Sequence, residues 1–255
     1  MRRGLKVFAL TAAGAFLLTG EALAAQFRST SGVSVSTGDY GTGEDTTITE
    51  LYETLVAKGQ AGEIGVKIPY LFRDGSGVTP GESRRARSGT VPEDADGLGD
   101  VQLLGKYFWL AEEDSRPAVD LAGRVKFPTA DESEGLGTGR FDVGFGPELL
   151  KHFGQLITFA DFELVVRDKP DNSTIKSTRL DYSVGLGYPL TSRFTGYASL
   201  DGGTPTNSGV DAPLELVLSA VYKATETAHL SGFVLAGLTE GSPDLGAGTS
   251  ITFYF

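Results

Sequence analysis

The feature that most constrains this chain is an alternation of apolar and polar side chains that recurs from residue 27 to the final Phe255. In GEIGVKIPY, Ile64, Val66, Ile68 and Tyr70 fall on one side and Glu63 and Lys67 on the other. In DVQLLGKYFW, Val101, Leu103, Gly105, Tyr107 and Trp109 oppose Asp100, Gln102, Leu104 and Lys106. VDLAGRVKF sets Val119, Leu121, Val125 and Phe127 against Asp120, Arg124 and Lys126. RLDYSVGLGY sets Leu180, Tyr182, Val184, Leu186 and Tyr188 against Arg179, Asp181 and Ser183. A period of two marks strands with one apolar and one polar face. Helical stripes are nearly absent, and 35 glycines weigh against long helices. About twelve runs can be marked, at 27–38, 45–57, 60–72, 98–110, 116–127, 138–149, 153–166, 177–189, 192–202, 212–223, 227–239 and 244–255.

The connections alternate in length. After even-numbered runs they are short (KG, AEEDS, LKH, LT, ATE), and after most odd-numbered runs they are long, the longest being RDGSGVTPGESRRARSGTVPEDADG. The last, EGSPD, is short and breaks the rule. Strands of about ten residues joined in this way describe an antiparallel up-and-down transmembrane β-barrel, with short turns facing the periplasm and longer loops facing outward. At the other end, Arg2, Arg3 and Lys6 precede the short apolar run VFALTAAGAFLLTG and then the small residues of ALAA. That is the layout of a secretory signal cleaved after Ala24 or Ala25. The expected organisation is a signal peptide over 1–24 and a barrel over 25–255, exported through the periplasm to the cell outer membrane. No later apolar run is long enough to span a bilayer as a helix, so membrane entry requires a barrel.

The chain has no cysteine and a formal charge of −11. Losing three cations and Glu21 with the signal brings the charge to about −13. This acidity argues against nucleic acid as a partner. Aromatics gather at both ends of the runs: Phe27, Trp109, Tyr188, Phe194, Tyr222 and Phe255 at the short-turn end, Tyr70, Phe127 and Phe141 at the other. Two aromatic rings around an aliphatic band match the two interfaces of a membrane. The alternative is a soluble periplasmic β-protein whose strands are capped by aromatics. The closing stretch GTSITFYF resembles the C-terminal signature read by the outer-membrane assembly machinery, with Phe253 and Phe255 as its signal residues.

With lipid on the apolar face, the lumen receives Glu63, Lys67, Asp100, Lys106, Asp120, Arg124, Lys126, Arg140, Asp142, Asp161, Glu163, Arg179, Asp181 and Glu215. Mixed signs predict paired charges across a narrow interior. Such a network serves either a path for solute or only mutual charge satisfaction. Little chain lies between the signal and the first run, so a constriction is expected from lumen side chains or a loop. The loop candidate is 73–97, where Arg84, Arg85 and Arg87 precede Glu93, Asp94 and Asp96. Folded inward it sets up a transverse field; folded outward it is a solvated loop.

Other motifs fail on inspection. His229 and Ser231 share the spacing of outer-membrane phospholipases, but Asn172 and Asn207 both fall in expected outer loops, away from His229. PEDADG lacks the full series of a calcium loop, although it and DESEG could bridge divalent ions to lipopolysaccharide phosphates. GLGTG lies between strands rather than before a helix, so no nucleotide site is read there.

The segment SGVSVSTGDYGTGEDTTITELYETLVAKGQAGEIGVKIPYLFRDG, followed by GLGDVQLLGKYF, resembles the outer-membrane protein family named for the meta-pathway of phenol degradation. The shared motifs fall at Gly38–Gly41, Pro69–Tyr70 and Gly97–Asp100. The basic-then-acidic insertion at 82–96 departs from that family. The resemblance implies a non-enzymatic channel or transporter for passive passage of small molecules, hydrophobic or aromatic ones among them, with no catalytic residues and no cofactor. Its expected partners are membrane lipid, lipopolysaccharide, the assembly machinery and a small solute. The competing readings are a barrel that binds or supports without conducting, and a lipid hydrolase built on His229 and Ser231.

Overall fold

Each alternating run becomes a strand, because one face can be greasy only where the other is polar. The computed structural model describes residues 26–40, 43–75, 92–168, 177–205 and 211–255. Its strands are β1 (Gln26–Gly38), β2 (Thr46–Lys58), β3 (Gly62–Asp74), β4 (Asp94–Leu98), β5 (Gln102–Leu110), β6 (Ala118–Lys126), β7 (Asp142–Phe153), β8 (Leu156–Arg167), β9 (Thr178–Pro189), β10 (Phe194–Gly203), β11 (Leu214–Lys223), β12 (Ala228–Gly237) and β13 (Leu245–Tyr254). Neighbours in sequence pair antiparallel, and β3 carries both β4 and β5 as two halves of one stave. β13 returns to β1 from Arg28↔Tyr254 to Thr37↔Leu245, which closes a twelve-stave barrel. Main-chain bonds in both directions between Phe27 and Phe255, at 3.3 and 2.9 Å, zip the seam to its end. The terminal apolar strand is therefore not an open edge. The expected signal segment lies outside the described residues.

The barrel is inverted relative to a soluble protein. Val33, Leu51, Ile64, Ile68, Leu103, Leu121, Val184, Leu186, Leu218 and Val234 all face outward and are exposed. The inward positions carry charges. An exposed aliphatic band around a closed sheet is the arrangement that lipid stabilises and water does not. The short-turn end holds the connections at 59–61, 111–117, 154–155, 190–193 and 224–227, and the other end holds 39–45, 75–93, 127–141, 168–177, 204–213 and 238–244. At 154–155 the two-residue turn uses Gly154 at φ 65°, a conformation costly for residues with a Cβ.

At the short-turn end, Glu112 ties one turn to the next strand. Its carboxylate accepts from the His152 main-chain N–H at 2.8 Å, bonds His152 Nδ1 at 2.7 Å and lies 3.2 Å from Lys151 Nζ. The side-chain bond to His152, followed by the main-chain one, holds the Glu112 carboxyl at about 2 against an ordinary 4.5. A carboxyl depressed in the folded state stabilises it above the unfolded value and loses that contribution as pH falls through the folded one. We predict a Glu112 carboxyl carbon that titrates near 2 by NMR in micelles, moving back toward 4.5 in the His152→Ala protein.

The fourth stave departs from simple alternation. Tyr70 faces Leu98 in the β3–β4 pairing, whereas Lys67 faces Gln102 in the β3–β5 pairing. The register has moved by one residue across 99–101, as in a β-bulge, and a bulge exchanges the faces on either side of it. Gly99 fits because a Cβ there would lie 2.9–3.1 Å from Pro69 and Leu71 side-chain atoms.

Candidate functional site

The lumen is bridged by ion pairs between alternate strands and between neighbours. Arg28 donates to Glu63 at 2.7 and 3.2 Å across β1 and β3. Lys67 meets Glu50 at 2.6 Å and lies 4.7 Å from the Tyr52 ring centre. Lys106 pairs with Glu148, and Arg124 holds Glu163 through Nε and Nη2 at 2.7–3.0 Å. Arg179 closes on Asp181 two residues along its own strand. The predicted residues Glu63, Lys67, Lys106, Asp120, Arg124, Glu163, Arg179 and Asp181 all lie on the inward face. Asp120 sits in register with Glu148 across β6 and β7.

A second group has no cation of its own. Asp161, Ser183, Asp201 and Glu215 are consecutive partners across β8, β9, β10 and β11. They form one cross-strand row on the inner wall. Ser183 donates to Asp201 at 2.6 Å, and none of the three carboxylates joins an ion pair among the described residues. This row, with Tyr40, Glu50 and Glu148, lines a cavity of about 620 Å³.

The long-loop mouth is built differently. Lys126 is buried between Asp100 at 2.8 Å and Asp142 at 3.2 Å, and also donates to Thr138 at 2.7 Å. Arg167 lies 3.9 Å from Asp142. Loop 127–141 folds in over this network. Asp100 accepts from the Ala130 N–H at 3.1 Å, and Thr129 bridges the Gly99 carbonyl and the Val101 N–H. Leu136, 2% exposed, packs with Leu71 and Ala130, beside Ile48 and Ala95. Arg73 points inward from β3 and donates to the carbonyls of Gly75, Pro92 and Glu134. Three apolar side chains and an arginine thus clamp a loop into the mouth. Arg140 stands at its rim, 3.6 Å from Asp168.

The acidic half of segment 73–97 does not fold inward, contrary to one expectation. Asp94 and Asp96 are exposed in β4, and Asp96 accepts a 2.6 Å bond from the outward Tyr70. The bulge at 99–101 is the reason: it places Ala95 and Gly97 inside and Asp94 and Asp96 outside. Glu93 is exposed beside them, and Arg84, Arg85 and Arg87 lie outside the described residues. The alternation also missed Arg28, Glu50, Glu148, Arg167 and Asp201, whose signal is a cross-strand partner rather than a run. His229 and Ser231 share the inner face of β12, with the His229 ring 4.8 Å from that of Tyr254.

An inverted barrel with a charged lumen and one loop folded into its mouth can be compared with known proteins. Residues 8–254 match the family described as "Putative MetA-pathway of phenol degradation". The chain belongs to this family. No curated protein matches it. Among solved structures, the family member is similar to an outer membrane channel from Pseudomonas putida F1, at 15% identity and a TM-score of 0.67, over 92% of this chain and 97% of that one. The KdgM porin in complex with disordered oligogalacturonate is similar at 6% identity and TM-score 0.50, over 90% and 99% of the two chains. The NanC porin is similar at 11% and 0.50, over 89% and 98%. At such identities the likeness is one of fold, and the fold is that of outer-membrane barrels.

Proposed function

We propose that this family member is a passive outer-membrane channel for small water-soluble solutes, with a preference for cations, and that loop 127–141 limits its mouth. The carrying observation is the row Asp161–Ser183–Asp201–Glu215. The other inner carboxylates are largely neutralised by arginine or lysine, so this wall supplies the excess negative potential that concentrates cations in a low-dielectric passage. The family description favours a second class of solute, neutral aromatic compounds, which the inward Tyr40, Tyr52 and Tyr197 could accompany along the wall.

Planar-bilayer recording across a salt gradient tests the reading. The wild-type protein is expected to show discrete steps and a reversal potential on the cation side. The Asp161→Asn, Asp201→Asn, Glu215→Gln triple variant should lower the cation-to-anion permeability ratio roughly threefold or more. Silence from folded wild-type barrels would instead support a closed lumen. Swelling of proteoliposomes in phenol against an equimolar sugar separates the aromatic reading from general sieving.

A further inference from the structure

The lumen charges are sorted along the barrel axis. On β11 the inward face carries Glu215 at the long-loop end and Lys223 as the last residue at the short-turn end. On β2 it carries Glu50 and Lys58 in the same order. In both strands acid and base stand roughly 26 Å apart along the chain. Arg28, near the start of β1, adds a third cation to the short-turn end. The carboxylates among the lowest inward positions there are Glu63 and Asp120. Glu63 is covered: Arg28 holds both its oxygens, and its side chain is 11% exposed against 35% for Arg28 and 46% for Lys58. Lys58 lies over the Phe108 ring, 5.2 Å from its centre, a contact that keeps its charge on the inner wall. A solute at the periplasmic end therefore meets ammonium and guanidinium groups.

Toward the long-loop mouth the sign reverses. The cavity of about 620 Å³ is lined by the three carboxylates of the row and by Glu50, Glu148, Glu163 and Asp181, with Arg179 as its lining cation among the described residues. Lys67, Lys106, Arg124 and Arg179 offset the last four in ion pairs, and the row remains in excess. The Lys106–Glu148 pair marks the boundary, since Lys106 is also in register with Glu63 of the basic end.

Two zones of opposite fixed charge in series act on a solute differently from one. A cation gathered by the outer zone meets like charge at its exit, and an anion is turned away at entry. A solute with an ammonium and an acid group on one short frame is favoured in each zone by one of its ends. It spans the boundary with its acid group toward the periplasm. We infer that the lumen is a two-zone passage whose preferred organic solutes are small zwitterions. This rests on the channel reading above and narrows its solute class. The same charge order makes ion current depend on direction. With the long-loop side positive, cations enter through the acidic zone and anions through the basic one, so both accumulate; reversed polarity drains both.

Current–voltage curves of the wild type at about 0.1 M salt, where the Debye length is about 10 Å, should show currents at least about twofold larger with the long-loop side positive. At about 1 M, where it is about 3 Å, the curves should become nearly linear. The chain has no cysteine, so Lys58→Cys supplies a single thiol, and faster labelling from one chamber identifies the periplasmic side. An ammonium-bearing thiosulfonate should restore the wild-type asymmetry, and a sulfonate-bearing one on the same protein should abolish it, which separates charge from folding. Isotope flux into proteoliposomes then compares taurine, a zwitterion, with choline and isethionate, singly charged solutes of similar size. Taurine should enter at least about threefold faster than either, and lose its lead over choline after sulfonate labelling. Linear low-salt curves from conducting wild-type channels, equal asymmetry after the two labels, or taurine no faster than choline would overturn the two-zone passage and leave the channel standing. Folded barrels that pass neither current nor solute would overturn both.

Discussion

Replacing residues 131–138 with two glycines is expected to raise single-channel conductance by at least about twofold. The loop enters the mouth because Leu136 has an apolar seat among Leu71, Ala130 and Ile48, and because Arg73 anchors its Glu134 carbonyl at 2.9 Å. The replacement removes both contacts and the Thr138 acceptor of Lys126, but leaves Thr129 and the Asp100–Lys126–Asp142 pairs in place. Conductance is therefore the quantity that moves, with barrel stability nearly constant. Leu136→Asp is the milder companion: a charge in that seat should make the loop leave intermittently, so that the trace gains long, wider openings. Unchanged conductance in both variants would put the narrowest point deeper, among the ion pairs of Arg124, Lys106 and their carboxylates.

Lys126→Met should cost the folded barrel about 3–5 kcal/mol. Lys126 is the cation shared by Asp100 and Asp142, and all three are largely buried. Methionine fills the volume but leaves two carboxylates facing each other, with only Arg167, 3.9 Å from Asp142, to offset them. Urea unfolding in detergent, followed by loss of the heat-modifiable band, should show the midpoint fall sharply. Adding Asp100→Asn and Asp142→Asn should recover most of the loss, because it is the orphaned charge rather than the missing contact that destabilises. A midpoint that does not move would mean that water reaches the cluster freely and screens it.

These two regions also show where sequence stops being legible. Strands and faces follow from side chains that alternate on their own, so Ile64, Leu103 and Leu186 announce their orientation within a single run. The inward charges Glu63, Lys106 and Arg124 are read by the same rule. The bulge at 99–101 leaves no such mark, since Gly97 and Gly99 look like any of the other glycines, yet it reverses Asp94 and Asp96. Glu50 and Glu53 lie three apart in one strand and so face opposite sides, a distinction that depends on locating the strand's register without error. Loop 127–141 looks polar in composition. Its inward fold depends on Leu136 and on partners far away in sequence, Leu71 and Arg73.

The seam between the first and last strands has a kinetic consequence. The hydroxyls of Thr30 and Thr252, 2.9 Å apart, are separated by 222 positions. Every other stave can find its partner within one hairpin, but the ring cannot shut until almost the entire polypeptide is available. Contacts of such long range form late and at high entropic cost. Until then β1 and β13 are two unpaired sticky edges, and one bears outward serines and the other a run ending in Phe253 and Phe255. Closure, rather than strand formation, is therefore the step at which its maturation is decided.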